Sequence, residues 1–153
     1  MNIENRQTKT YILTDLDSLD PVTVYVTNYE PGRGKVVVEC FGKAWAYFWG
    51  SMGELTLQQF FVSCNNDYIL NKLLEDTRQT DFEEINNIAH KNGSLLCVSS
   101  DIEVALAADE MSNLFGPDWF MDLPTCNTSE YVYLGRIVNA IKEAFTEELR
   151  QAA

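Results

Sequence analysis

The sequence lacks the features that mark secreted, membrane-spanning or zinc-binding proteins. Its 153 residues include one histidine and four cysteines, and no two cysteines form a C-x-x-C pair. Structural zinc sites usually show closely spaced ligand pairs, so none is expected. The longest apolar run, Ala44 to Trp49, is far shorter than the roughly 20 residues of a membrane span, and residues 1–10 lack the apolar stretch of a signal peptide. We therefore expect a cytoplasmic protein with buried free thiols, because disulfides are rare in reducing compartments.

Patterns that indicate catalysis are also missing. No cysteine carries the local signature of a nucleophile paired with His90. Three aspartates lie close together at positions 15, 17 and 20, but without the glycine-bearing pattern of a calcium loop. The segment 32–35 (GRGK) lacks the spacing of a phosphate loop and is more simply a hairpin turn. We predict a non-enzymatic protein with no metal or cofactor, and an enzyme of unknown type is the third hypothesis.

Positive charge is scarce, and one long interval has none. The chain carries 23 acidic and 11 basic residues, for a net charge of −12. No basic residue lies between Lys91 and Arg136, although seven acidic residues do. The electrostatic field of this negative charge repels nucleic acids and anionic membranes and attracts basic partners. Solubility alone is the alternative explanation for this charge.

Large apolar side chains interrupt this acidic interval. They are Leu114, Phe115, Trp119, Phe120 and Met121. Aromatic anchors within a charged surface are typical of protein-binding sites. The alternative is a helix with a solvated acidic face and a tryptophan that points into the core. The residues that we predict to contact a protein partner are Asp101, Glu103, Asp109, Glu110, Asp118, Trp119 and Asp122.

The first third of the chain has the two-residue period of β-strands. Valines alternate with polar or aromatic residues over 22–29, and this pattern predicts a half-buried strand. The turn residues after it lead into a second strand over 35–41. A further strand over 10–16 completes an antiparallel meander. The segment 42–50 is either another strand or a helical turn.

Helical signals dominate after residue 55. Thr56 and Asn65 or Asn66 are expected caps of two helices. Thr80 with Glu83 forms a predicted capping box. One helix is expected from Ser100 or Asp101 to residue 115, and another from residue 129. The sequence therefore predicts a single α+β domain over 1–153, β-rich in 10–50 and mainly helical in 55–152, with an N-terminal antiparallel meander packed against several C-terminal helices.

Cations lie close to aromatic residues around the predicted hairpin. Basic residues beside aromatic side chains on a sheet can hold single-stranded nucleic acid by stacking and phosphate contact. The overall negative field opposes such a ligand. A nucleic-acid-associated module is therefore the alternative hypothesis, and its predicted residues are Arg33, Lys35, Lys43, Trp45, Tyr47 and Trp49.

Several short motifs in residues 11–74 resemble a family of small, largely uncharacterised proteins of tailed phages and prophages. The motifs are LDPVTV at 19–24, GRGK at 32–35, GKAW at 42–45, GSMG at 50–53, and the stretch from Phe60 to Tyr68. The resemblance implies a cytoplasmic accessory protein made during infection, and it brings no catalytic or binding residues with it. The leading hypothesis is thus a phage or prophage accessory protein that binds a host or phage protein through an acidic surface. It would act as a DNA-mimic-like inhibitor of a defence or nucleic-acid-processing complex.

Overall fold

The computed structural model describes all of residues 1–153, and the chain divides into two compact units. Residues 1–77 and 129–153 form one unit, which we call the sheet unit. Residues 78–128 form the other, which we call the acidic unit. Each contains its own hydrophobic core. The single domain expected from the sequence stays a prediction.

The sheet unit is built on a four-stranded antiparallel meander in the order β1-β2-β3-β4. Its strands are β1 Lys9–Leu13, β2 Val22–Glu30, β3 Arg33–Cys40 and β4 Lys43–Trp49. The predicted meander is confirmed, and the segment 42–50 is its fourth strand. Strand β1 is shorter than predicted because Asp15 adopts a positive φ of 57°, which an extended strand does not accommodate.

The alternation along β2 and β3 places every valine of these strands except Val37 on one face of the sheet. Val22, Val24, Val36 and Val38 are fully buried there, and the tryptophans of β4 lie on the same face. Successive side chains in a strand point to opposite faces. The opposite face, which we call the outer face, carries the alternate residues, among them Ile12, Tyr25, Val37, Ala46 and Phe48.

Three helices cover the valine face, which confirms the predicted α+β architecture. They are α1 Leu57–Ser63, α2 Asn66–Leu73 and α6 Ser129–Gln151. The predicted caps are confirmed: Thr56 forms a capping box with Gln59, and the Asn65 side chain accepts a hydrogen bond from a backbone N–H of α2. Phe61 of α1 and Phe145 of α6 meet edge to face with ring centroids 5.5 Å apart. Both rings are fully buried.

The acidic unit contains three helices, a 3-10 turn at Trp119–Met121 and two short paired strands. The helices are α3 Phe82–Lys91, α4 Asp101–Leu106 and α5 Ala108–Phe115, and the strands are β5 Arg78–Thr80 and β6 Thr125–Asn127. The segment 94–99 forms neither strand nor helix. Its Val98 instead exchanges two hydrogen bonds with the Asn86 side chain, at 2.8 and 2.9 Å.

Two sequence predictions in this unit are wrong. Thr80 does not cap α3, because it pairs with Thr125 in the strands β5 and β6. The cap is Asp81, whose side chain accepts from the backbone N–H of Glu84. The helix predicted from 100 or 101 to 115 is two helices, because the chain leaves the helical path at Ala107 (φ −93°, ψ 25°).

Candidate protein-binding surface

The acidic unit carries negative charge that nothing within it neutralises. Residues 78–128 contain nine acidic residues against Arg78 and Lys91. The structure contains five ion pairs, and every one of them joins residues of the sheet unit. No carboxylate of the acidic unit forms an ion pair with Arg78 or Lys91, so no fixed cation within the unit compensates its negative field.

Some of these carboxylates also stabilise the helices that carry them. Asp101 and Glu103 lie in the first turn of α4, and Asp109 and Glu110 lie in the first turn of α5. Negative side chains are favoured at a helix N-terminus by the helix dipole. Glu103 also accepts hydrogen bonds from the backbone N–H and the hydroxyl of Ser99, at 2.6 and 2.9 Å. These bonds hold the pKa of Glu103 below its ordinary value.

Asp118 and Asp122 differ from the helix-start carboxylates. They flank the 3-10 turn, both are exposed, and neither side chain forms a hydrogen bond or an ion pair. Removing their charge therefore breaks no contact of the folded chain. They are the positions at which a binding role can be separated from a structural one.

Exposed apolar side chains accompany the charge. Ile102 and Leu106 are 73% and 83% exposed, and Phe120 and Met121 are 64% and 77% exposed. Ile102 and Leu106 lie one turn apart on α4 and so share a face of that helix. These side chains sit next to the predicted carboxylates in the chain and give the acidic surface apolar contact area.

Trp119 occupies a different position from its neighbour Phe120. It is half-buried and packs against the core of the acidic unit, while the two rings meet edge to face at 6.0 Å. The more exposed ring of the pair is Phe120, which sequence reasoning did not select. Adjacent residues in a 3-10 turn show no periodicity that would have distinguished them.

The structure separates the aromatic and basic residues that were proposed to hold nucleic acid. Arg33 and Lys35 are exposed, whereas Trp45 and Trp49 are only 6% and 4% exposed on the valine face. Both indole N–H groups donate within the sheet unit: Trp45 to Glu130 at 3.1 Å, and Trp49 to the Tyr68 hydroxyl at 3.2 Å.

The two remaining residues of that set, Lys43 and Tyr47, lie on the tryptophan side of the strand. Lys43 pairs with Glu130 at 3.6 Å, and Tyr47 is half-buried beneath the ammonium of Lys72. The proposed six residues are therefore divided between the two faces of the sheet. This division follows from the register of β3 and β4, which places Lys35 opposite Phe48 rather than opposite a tryptophan.

A different aromatic and basic cluster does form, on the outer face. The rings of Tyr29 and Phe48 meet at 5.6 Å. Arg6 lies 4.8 Å from the Tyr29 ring centre, and Arg33 lies 5.7 Å from that of Phe48. Lys35 is the cross-strand neighbour of Phe48. Glu4 and Glu30 pair with the two arginines at 2.8 Å, so only Lys35 carries a charge without an ion pair.

A shallow cleft of about 310 Å³ lies between the start of β4 and the start of α6, lined by Cys40, Phe41, Lys43, Ser129, Glu130 and Tyr133. The Tyr133 hydroxyl is 3.3 Å from the Cys40 sulfur. This hydrogen bond, together with burial, raises the pKa of Tyr133 to about 12. A phenol held neutral in this way serves as a hydrogen-bonding group rather than as a base at physiological pH.

The other chemical groups of the chain are dispersed. No three or more His, Cys, Asp or Glu side chains converge in a way that could hold a metal ion. All four cysteines are free, but only Cys40 is fully buried and Cys97 is exposed, so the expectation of buried thiols is wrong for most of them. No helix is both long enough and apolar enough to cross a bilayer.

Comparison with known proteins identifies the family. A family model described as "Phage family", which represents an uncharacterised family of phage proteins, matches residues 1–147. No curated protein and no solved structure matches the chain. The phage resemblance inferred from residues 11–74 is therefore confirmed, and the match extends through the acidic unit.

Proposed function

Because the chain belongs to this uncharacterised family of phage proteins, we propose that it is a non-enzymatic accessory protein that binds a host or phage protein through its acidic unit. The observation that carries this proposal is the absence of any ion pair among the nine carboxylates of residues 78–128. Uncompensated charge of one sign steers a partner of the opposite sign and speeds its association. The partner is therefore a protein with a basic surface.

Exposed apolar groups supply the second requirement for such an interface. Charge at the rim of an interface mainly changes association rate and specificity, whereas buried apolar anchors contribute most of the affinity. Ile102 and Leu106 on α4 and Phe120 and Met121 on the 3-10 turn are the exposed apolar groups next to the carboxylates. We assign them the anchoring role.

A protein with a basic groove for nucleic acid fits this chemistry. Such a groove contains lysines and arginines arranged for phosphates, and clustered carboxylates can occupy it in their place. The proposed consequence is inhibition of a defence or nucleic-acid-processing complex. Addition of the phage protein would then displace nucleic acid from the target in proportion to the complex formed.

Site-specific photo-crosslinking tests where the partner binds. A photoreactive phenylalanine replaces Phe120 in one variant and Phe41 in a matched control, because both rings are exposed, at 64% and 82%, and they belong to different units. In infected-cell lysate we expect one dominant adduct at Phe120, with a basic protein that also binds nucleic acid. That adduct should weaken as salt rises, because salt screens exposed charges.

Three outcomes would contradict this proposal. The first is the same set of adducts at Phe120 and Phe41, which would indicate non-specific contact. The second is a dominant Phe120 adduct with an acidic protein, and the third is a Phe120 adduct whose yield does not change with salt. A purified partner then gives a direct assay, in which the phage protein must compete with nucleic acid for the same surface.

The cluster on the outer face favours a second candidate function. This cluster of Tyr29, Phe48, Arg6, Arg33 and Lys35 combines rings and cations in the way that suits single-stranded nucleic acid. Gel shifts with single-stranded oligonucleotides at low salt test this candidate. Binding that Phe48→Ala removes would support it, and no shift by the wild-type protein would eliminate it.

A further inference from the structure

The free edge of the sheet at β4 has an ordered set of unpaired backbone groups. Strands β3 and β4 are joined by Phe41 and Gly42, whose φ angles are 47° and 75°. Two positive φ values in a two-residue loop define a type I′ hairpin. In such a turn the residues on either side of the loop, Cys40 and Lys43, form a hydrogen-bonded pair.

This turn determines the direction of every peptide group in β4. Hydrogen-bonded and non-bonded pairs alternate along an antiparallel ladder. Counting from Lys43, the residues that bond to β3 are Lys43, Trp45, Tyr47 and Trp49. The backbone N–H and C=O groups of Ala44, Ala46 and Phe48 therefore point away from the sheet.

Nothing within the sheet unit covers these outward groups. No backbone or side-chain hydrogen bond from elsewhere in the unit reaches Ala44, Ala46 or Phe48, and all three residues are exposed. Free edges in natural sheets are usually protected by charges, proline or bulges. Here β4 has one charged residue, Lys43 at its first position, and its ladder with β3 contains no bulge.

We propose that β4 pairs antiparallel with β4 of a second copy of this chain, joining two four-stranded sheets into one continuous sheet. A two-fold axis placed at Ala46 gives the one register that uses all three outward residues. Ala44 then pairs with Phe48 of the second copy, and Ala46 pairs with Ala46 of the second copy. Each of these three pairs exchanges two backbone hydrogen bonds. A two-fold axis at Ala44 or at Phe48 leaves outward groups unpaired.

Side chains next to this edge are complementary in the same register. On the outer face the methyl group of Ala44 lies opposite the large Phe48 ring. On the other face Trp45 lies opposite Tyr47 of the second copy. Glu130 accepts from Trp45 at 3.1 Å, and the Lys72 ammonium lies 5.5 Å from the Tyr47 ring centre.

Directly opposed residues in an antiparallel pair have Cβ atoms about 5 Å apart. The register therefore brings Glu130 of each copy near Lys72 of the other, and Lys72 forms no ion pair within its own chain. Two such opposite-charge contacts, related by the axis, favour a second copy over an unrelated extended peptide.

Cysteine crosslinking tests the register. In a Cys97→Ser background, which removes the exposed thiol, Ala46→Cys places two thiols across the axis at a Cα separation of about 5.5 Å, within the range of a disulfide. Ala44→Cys is the matched control, because its thiol would lie opposite Phe48. We expect oxidation to give a covalent dimer for Ala46→Cys and not for Ala44→Cys. Equal crosslinking of both variants, or of neither, would overturn the proposal.

Sedimentation of the full chain over a range of concentrations measures the association itself. We expect a reversible dimer for the wild-type protein. Ala46→Pro should weaken it at least tenfold, because proline removes an outward N–H without breaking the bonds to β3. Lys72→Glu, which leaves the strand unchanged, should also weaken the dimer. A wild-type protein that is monomeric at all concentrations, or a dimer insensitive to Ala46→Pro and Lys72→Glu, would refute the interface.

Discussion

Gly32→Ala should destabilise the sheet unit far more than Gly42→Ala, although both glycines have positive φ angles of 81° and 75°. A Cβ atom at Gly32 would lie 2.0 Å from the carbonyl oxygen of Gly53, whereas one at Gly42 would meet no atom within 4 Å. The two variants therefore share the backbone strain and differ only in the steric overlap.

The magnitude follows from the contacts that the overlap disrupts. Left-handed backbone costs a non-glycine residue about 1 kcal/mol, and this cost applies to both variants. At Gly32 the loop from 50 to 56 must also move outward. That movement breaks the hydrogen bonds from Gly32 N–H to Leu55 at 3.0 Å and from Met52 N–H to Gly32 at 2.8 Å. Each lost bond costs about 1 kcal/mol, so Gly32→Ala should lower the free energy of unfolding by about 2 kcal/mol more than Gly42→Ala does.

Urea unfolding monitored by tryptophan fluorescence measures this difference, because Trp45 and Trp49 are buried in the sheet unit. The smaller entropy of the unfolded chain with alanine affects both variants equally and cancels in the comparison. If Gly32→Ala and Gly42→Ala unfold with free energies within about 0.5 kcal/mol of each other, the loop from 50 to 56 is not held against Gly32 as described.

Two further predictions concern polar contacts. Burial raises the pKa of Glu148, but its hydrogen bonds with Lys9 and Tyr11 outweigh burial and hold the pKa below its ordinary value. Glu148→Gln should therefore cost about 1 kcal/mol at neutral pH. Because the pKa of Glu148 is lower in the folded than in the unfolded state, this loss should shrink as pH falls below about 4.3 and through the folded-state pKa. A stability difference between the wild type and Glu148→Gln that does not change with pH would contradict these hydrogen bonds to the ionised carboxylate. Asn86→Ala should lower the free energy of unfolding in urea by about 1–3 kcal/mol, because it leaves the backbone N–H and C=O of Val98 unpaired. Asn87→Ala, at the exposed neighbouring position, should lower it little. Equal losses for the two variants would refute the bracing role of Asn86.

The N-terminal sheet was predictable because its pattern is local. The valines at every second position of β2, together with Val36 and Val38 of β3, are all buried in only one arrangement of the two strands. The alternation in β4 was recognised too, but the face of its aromatics was not. Lys35 pairs with Phe48 rather than with a tryptophan, and that register becomes apparent only once the Phe41–Gly42 turn is known.

The acidic unit was less predictable because distant residues decide its structure. Strands β5 and β6 are three residues each and lie more than forty positions apart, so no local window contains both. The break at Ala107 has no glycine or proline to mark it. For the candidate site, the sequence revealed where the charge lies. That the carboxylates remain without ion pairs depends on where the few cations lie in the fold.

Charge neutralisation on the acidic unit tests the central proposal most directly, with affinity measured for the partner identified by crosslinking at Phe120. Asp118→Asn combined with Asp122→Asn removes two charges that make no contact in the folded chain. Glu54→Gln with Glu143→Gln is the matched control, because both carboxylates are exposed and unpaired in the sheet unit.

Exposed charge pairs contribute about 0.2–1 kcal/mol each, so the acidic-unit variant should bind roughly 2- to 30-fold more weakly at low salt. The loss should diminish at high salt, because salt screens both the wild-type and variant surfaces. The control variant should bind as the wild-type protein does. Equal affinities for the two double variants at low salt would contradict binding through the acidic unit.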